Sequence, residues 1–309
     1  VKVFLKKTIL LAIPLLLFLA YVEWKLAGVE NSYSYKRRCF EKRLDSTEVL
    51  VLGSSQAAYA VNPSYLSSCA YNLGNVSQSL YYDQHLVYKY LDKLPQLKMV
   101  FIHITSLSFG HEMTDGKEEW RVFFYSREWD IPSPIKNTID PRNYSRLFLY
   151  TPQKSFDYFK KGFNVNLAAG YLENGYFKKD TTGNEKNLNK KNAEEAALRH
   201  AEKFNAARVT ANISLVSNLL DTLKKRNIRF CFFTTPHTAY YRALEDKKLV
   251  TTSQDILKEL CAKYTCEYYD YSADSRFVAR DFFDSDHLNF IGAEKFSRII
   301  DEEILQKRL

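Results

Sequence analysis

Four short apolar runs constrain the fold more than anything else in this chain: EVLVLG (48–53), MVFIHIT (99–105), IRFCFFTTP (228–236) and CEYYDY (266–271). Each is too short for a helix and is rich in β-branched or aromatic residues. The first three are continuous rather than alternating, as in strands covered on both faces. Helical patterns separate them. Residues 79–94 repeat apolar positions and stop at Pro95, and NISLVSNLLDTLKKRN (212–227) is amphipathic with a basic end. Residues 253–264 read as a third helix, and 293–305 place Phe296, Ile299, Ile300 and Ile304 on one stripe. Strands alternating with helices predict parallel strands joined by right-handed crossovers, an α/β sandwich of three layers. Ligands of such sheets collect at the carboxyl ends of the strands, where Gly53, Ser54 and Ser55 fall.

Residues 110–205 break the alternation. They are aromatic and turn-rich, and they read as a cap inserted between two strands rather than a second domain. Within them, 178–192 is a polar loop, and Asn192 is placed to cap the helix AEEAALRHAEKF. The first residues carry a membrane signal: Lys2, Lys6 and Lys7 precede Ile9 to Val22, which holds no charge. That run is short for a span of roughly 17–25 residues, but Thr8 before it and Trp24 after it extend it. We expect residues 1–24 to be an uncleaved anchor, with a cleaved signal peptide as the alternative, and 25–47 to be a stem. The α/β domain then covers 48–309. Lysines ahead of the run predict a cytoplasmic start and a domain facing the periplasm or cell exterior.

The 309 residues carry 44 basic and 36 acidic side chains, a net charge of +8. The basic residues are dispersed, with no zinc-finger spacing or RNA-binding signature, so nucleic acid is not an expected partner. Aromatics reach 15%, enough to fill the core and the insertion or to line a sugar-binding cleft. Of the five cysteines, Cys261 and Cys266 are close in sequence, Cys39 and Cys69 flank the first strand and could pair, and Cys231 reads as a buried thiol. His85, His103, His111 and His200 offer no H-x-x-x-H pair, and no metal or cofactor is expected. VLGSSQAAY lacks the G-x-G-x-x-G of a dinucleotide site and the lysine of a P-loop.

The chemistry lies in three separated pieces. FFDSDHLNFIGAEKF (282–296) sets Asp284 three residues before His287, a spacing that puts acid and imidazole on one face of a turn. A carboxylate there fixes the tautomer and stabilises the imidazolium. Such a pair needs a hydroxyl nucleophile, and GSS after the first strand supplies one. YNLGNVSQS follows some twenty residues later. His237 also follows a strand, as a secondary contact. Together these blocks resemble the SGNH/GDSL hydrolases, most closely the membrane-anchored relatives that handle envelope polymers, such as the D-alanyl transfer protein of teichoic acids and the alginate O-acetylation proteins. The resemblance covers 48–105 and 228–305. It implies Ser55 as nucleophile, Ser54 in the place of the family's aspartate, Asp284 and His287 as the other triad members, and an oxyanion hole from the Ser55 and Gly74 N–H groups. The family's third block holds an asparagine, whereas this chain reads HITSLSFG there. Thr105, Ser106 or the neighbouring Asn75 are the candidate replacements.

The resemblance thus implies an SGNH-hydrolase or flavodoxin-like fold carrying a serine esterase or O-acyltransferase. Its expected partners are an acylated glycan or polysaccharide, the membrane through the N-terminal helix, and an integral-membrane acyltransferase. An inactive binding or assembly protein on the same fold is the alternative.

Overall fold

The computed structural model describes residues 2–134, 139–180 and 188–307. Its strands are β1 (Val49–Leu52), β2 (Ala70–Asn72), β3 (Met99–His103), β4 (Arg229–Thr234) and β5 (Glu267–Asp270). The α-helices run α1 (Lys2–Ala27), α2 (Ser32–Glu41), α3 (Ser55–Ala60), α4 (Leu80–Tyr90), α5 (Trp120–Glu128), α6 (Arg146–Leu149), α7 (Pro152–Lys160), α8 (Lys190–Glu202), α9 (Val209–Lys225), α10 (Ala239–Leu244), α11 (Lys247–Tyr264) and α12 (Phe290–Ile300). The chain divides into two compact units, Val1–Tyr35 with Trp120–Ala169, and Lys36–Glu119 with Gly170–Leu309.

The larger unit holds one five-stranded sheet in the order β2-β1-β3-β4-β5, every pairing parallel. Val49, Val51, Phe101, Cys231 and Phe233 point to one side, where Phe296, Ile299 and Ile300 of α12 and Ala57 and Ala60 of α3 meet them. α4, α9 and α11 pack with one another as the other helical group. β1 to β3 are buried throughout, which is why β1 and β3 read as continuous apolar runs rather than alternating ones. The chain starts in the middle of the sheet, moves to β2 at one edge, then crosses back past β1 to β3. That reversal opens a crevice between the carboxyl ends of β1 and β3.

Two local readings differ from the sequence expectation. β2 was not foreseen, because AYN is too short to show periodicity. The cap of α8 is Asn189, not Asn192: the Asn189 side chain accepts from the Asn192 N–H, so Asn192 already lies inside the helix. The interval 25–47, expected as a stem, contains α2. The interval 110–205 is shared: 120–169 belong to the N-terminal unit, where Glu23 of α1 accepts from the backbone of Arg146 and Leu147 at the start of α6. Residues 181–187 of the polar loop lie outside the described residues. α1 runs well past the apolar stretch, and Leu10–Ala27 is apolar enough to cross a membrane.

Candidate active site

β1 ends at Leu52, and Gly53 makes the turn into α3 with φ +129°, a conformation that L side chains rarely adopt. A Cβ there would also lie 2.6 Å from the Cβ of His103 at the end of β3. Glycine is therefore required both by conformation and by close approach. The Gly53 N–H donates to Asp83 Oδ1 of α4 at 3.0 Å, which pins the turn from the other side. Ser54 takes the N-cap position without a side-chain capping bond, and Ser55 is the first residue of α3. Its N–H is one of the donors that a helix cannot pair internally.

The structure brings Ser55, His287 and Asp284 together. Ser55 Oγ lies 2.8 Å from His287 Nε2, across 232 positions of sequence. His287 Nδ1 lies 2.9 Å from Asp284 Oδ1 and 3.1 Å from Oδ2. The same carboxylate accepts from the His287 backbone N–H at 2.9 Å, so the turn and the ring are held by one acid. The turn is closed by Phe283 N–H donating to the His287 carbonyl, and by Asn289, whose side chain caps α12 and donates to the carbonyls of Arg280 and Phe282. Tyr59 packs its ring 5.0 Å from that of His287.

Sequence reasoning missed a second acid. Asp286 is buried, with Oδ1 3.5 Å from His287 Nδ1 and Oδ2 3.7 Å from His200 Nε2. Gln56 Nε2 donates to it at 3.3 Å, and Gln56 Oε1 is 3.1 Å from His237 Nε2. Burial pushes the Asp286 carboxyl up, but the facing charges of His287, His200 and His237 and the Gln56 hydrogen bond outweigh it and hold it below the usual range. Burial likewise pulls the His287 ring down, while the charges of Asp286 and Asp284 and the Asp284 hydrogen bond raise it to about 8. The alternation D-S-D before the histidine was the available signal. On a turn, residues one apart from the imidazole can reach it as well as those three apart.

Two more buried ionisable groups brace the turn at Gly53 and the turn at Gly74. Burial raises the Asp83 carboxyl to about 7, against the hydrogen bonds from Gln78 and Gly53. Burial lowers the Lys36 ammonium to about 7, and Lys36 Nζ donates to the Gly74 carbonyl. A cavity of about 50 Å³ opens beside Ser55, lined among others by Gln56, Ser77, Asp83, His103, His111 and His200. Burial lowers the His103 ring to about 3, so it is neutral.

The expected oxyanion donors fare differently. The Gly74 N–H donates to Asn72 Oδ1 at 2.9 Å, and the Asn75 N–H donates to the Gly53 carbonyl at 3.0 Å. Both backbone donors are therefore engaged, one by the Asn72 side chain at the end of β2 and one by the neighbouring turn between β1 and α3. The Asn75 side chain accepts at Oδ1 from Tyr171 Oη and from the Val76 N–H, which leaves Nδ2 as its donor end. Ser106 Oγ donates to Glu245, and Thr105 bonds to Ser108. His237 faces Gln56 rather than Ser55. Asp284, Asp286 and His287 bring three ligand atoms within 4.8 Å of one another, but Ser55 and Asp284 already engage the two ring nitrogens. The five cysteines are free thiols; Cys261 and Cys266 lie 3.5 Å apart at sulfur.

No family model and no curated protein matches the chain. Similar solved structures include a GDSL-like lipase from Bacteroides thetaiotaomicron, 10% identical, covering 90% of this chain and 100% of that one at a TM-score of 0.42. A lipase/acylhydrolase from Enterococcus faecalis is 10% identical over 84% of this chain and 97% of its own, at 0.39. A carbohydrate acetylesterase family member from Sinorhizobium meliloti is 11% identical over 84% and 98%, at 0.37. Likeness at this level assigns no chemistry, which rests on the distances above.

Proposed function

We propose that this chain is an SGNH-type serine ester hydrolase or O-acyltransferase, acting outside the cytoplasm on acyl groups of an envelope or exported polysaccharide. The observation that carries the reading is the series Ser55 Oγ, His287 Nε2 and Nδ1, Asp284, each step within hydrogen-bond reach. Ser55 attacks the ester carbonyl while its proton passes to His287 Nε2, and the tetrahedral oxyanion forms. Collapse breaks the ester C–O bond, and His287 returns the proton to the departing alcohol. The acyl-serine is then attacked by water or by a sugar hydroxyl, whose proton again goes to His287; collapse breaks the bond from the acyl carbon to Ser55 Oγ, and His287 returns the proton to that oxygen. Asp284 and Asp286 stabilise the imidazolium in both halves. The oxyanion donors in this reading are the Ser55 N–H and the Asn75 side-chain Nδ2.

The hydroxyl and the imidazole must react as a pair, so the test is chemical labelling. A fluorophosphonate probe is expected to label the wild-type chain and not Ser55→Ala, with both folded by circular dichroism. Equal labelling of the two would remove Ser55 from the role. No labelling of a folded wild type would favour the second reading, an inactive binding or assembly protein. That alternative draws on the engagement of the Gly74 N–H by Asn72.

A further inference from the structure

The N-terminal unit carries an aromatic surface that the catalytic site does not use. α1 is bare over its apolar length: only 11% of Leu10–Ala27, at mean hydropathy 1.8, is covered by protein. α6 and α7 lie along it. Phe159 sets its ring edge-on to Phe18 at 5.8 Å, and Phe163 does the same to Tyr21 at 6.5 Å. Glu23 secures the other end of this contact by capping α6 through Ser145, Arg146 and Leu147. The outward face of the pair is apolar. Phe148 is 61% exposed, Phe156 56% and Phe159 41%. Phe156 and Phe159 fall three residues apart on one face of α7, and Phe163 follows just past its end. Exposed lysines flank it: Lys154, Lys160 and Lys161, with Lys160 Nζ 4.7 Å above the Phe156 ring.

Depth identifies what covers this face. Phe18 lies five residues before Glu23, the first charge after the apolar run. At 1.5 Å per residue this is about 7 Å toward the apolar middle of α1. Interfacial amphipathic helices bury their apolar side about 5–10 Å into the boundary between headgroups and acyl chains. A phenylalanine packed on Phe18 is at that depth whenever α1 is in a bilayer. The lysine stems reach from the same helix toward the headgroups, as long basic side chains do.

We propose that the α6–α7 face is a membrane-contacting surface, with Phe156 and Phe159 in the acyl region of the leaflet beside α1 and Lys160 and Lys161 at anionic headgroups. The proposal rests on the reading of α1 as a retained anchor, and the experiment separates the two. The full chain, with a photoreactive benzoyl-phenylalanine at position 156, 159 or the buried position 124, is reconstituted into vesicles of phosphatidylcholine and phosphatidylglycerol. Flotation with the vesicles tests the anchor. Irradiation followed by mass spectrometry tests the face. Phospholipid adducts are expected at 156 and 159 at least tenfold above those at 124, falling severalfold when phosphatidylglycerol is omitted or in K160E/K161E. A chain that does not float removes the anchor. A chain that floats but gives no adduct at 156 and 159 overturns the membrane face and leaves it to a protein partner. Adducts indifferent to phosphatidylglycerol and to the lysines overturn its anionic component.

Discussion

At the residue scale, His287 is held by two acids of different exposure, and this sets its pH behaviour. In the proposed mechanism the ring must be neutral to take the Ser55 proton, and its value is raised to about 8. kcat/KM on an aryl acetate is therefore expected to rise with pH through about 8 and then level off. Asp286→Asn removes a charge that raises the ring, so the midpoint should move down; an unmoved midpoint would show that Asp286 does not act on His287. Loss of the orienting acid costs other triads roughly 10⁴-fold. Here Asp284→Asn should cost less, because Asp286 keeps a carboxylate 3.5 Å from Nδ1, and the Asp284→Asn/Asp286→Asn pair should fall to the level of His287→Ala. Asp83 offers a stability readout. Its carboxyl is raised to about 7 in the folded chain, so the folded state binds the proton more tightly than the unfolded one. That stability is complete below the unfolded value near 4 and is lost as pH rises through about 7, an amount up to roughly 4 kcal/mol. Chemical denaturation of Asp83→Asn should lack this decline between pH 4 and 7. A decline equal to wild type would assign the proton elsewhere.

At the element scale, the site depends on two turns that present residues rather than react. Gly53 turns β1 into α3 where a side chain has neither the dihedral angle nor the space. Gly53→Ala should cost on the order of 1–3 kcal/mol and remove most activity, since Ser55 is two residues on. Asn289 ends the block that bears Asp284 and His287. It caps α12 at the Ile291 and Gly292 N–H groups and holds two carbonyls of the preceding loop. Asn289→Ala should destabilise by about 1–2 kcal/mol for the cap alone. It should also lower kcat while leaving the pH midpoint near that of wild type, because no charge near the ring changes. The terminal asparagine of D-x-x-H-L-N is thus legible in the sequence as part of a motif, but its role as a loop brace is not.

At the scale of the molecule, strand order decides where chemistry can occur. Because β3 lies on the far side of β1 from β2, the carboxyl ends of β1 and β3 diverge in connection and leave room for Ser55, His103 and Asp83. The loop before α12 reaches the same rim. The N-terminal unit gathers α1 with 120–169, a grouping across about ninety residues of chain that no local signal announces. Its aromatic composition was visible, but whether the rings filled a core or a surface was not, since both use the same residues.

The sequence by itself determined β1, β3, β4 and β5, the helices that alternate with them, the parallel topology and the three pieces GSS, YNLGN and DSDHLN, because burial on both faces and turn geometry are local demands written in residue type. Only the tertiary structure decided that Asp286 joins Asp284 on His287, that the Gly74 N–H is taken by Asn72, and that Lys36 and Asp83 brace the site. These contacts join positions far apart in the chain or compete for one donor within a turn, and such choices are settled by packing rather than by pattern.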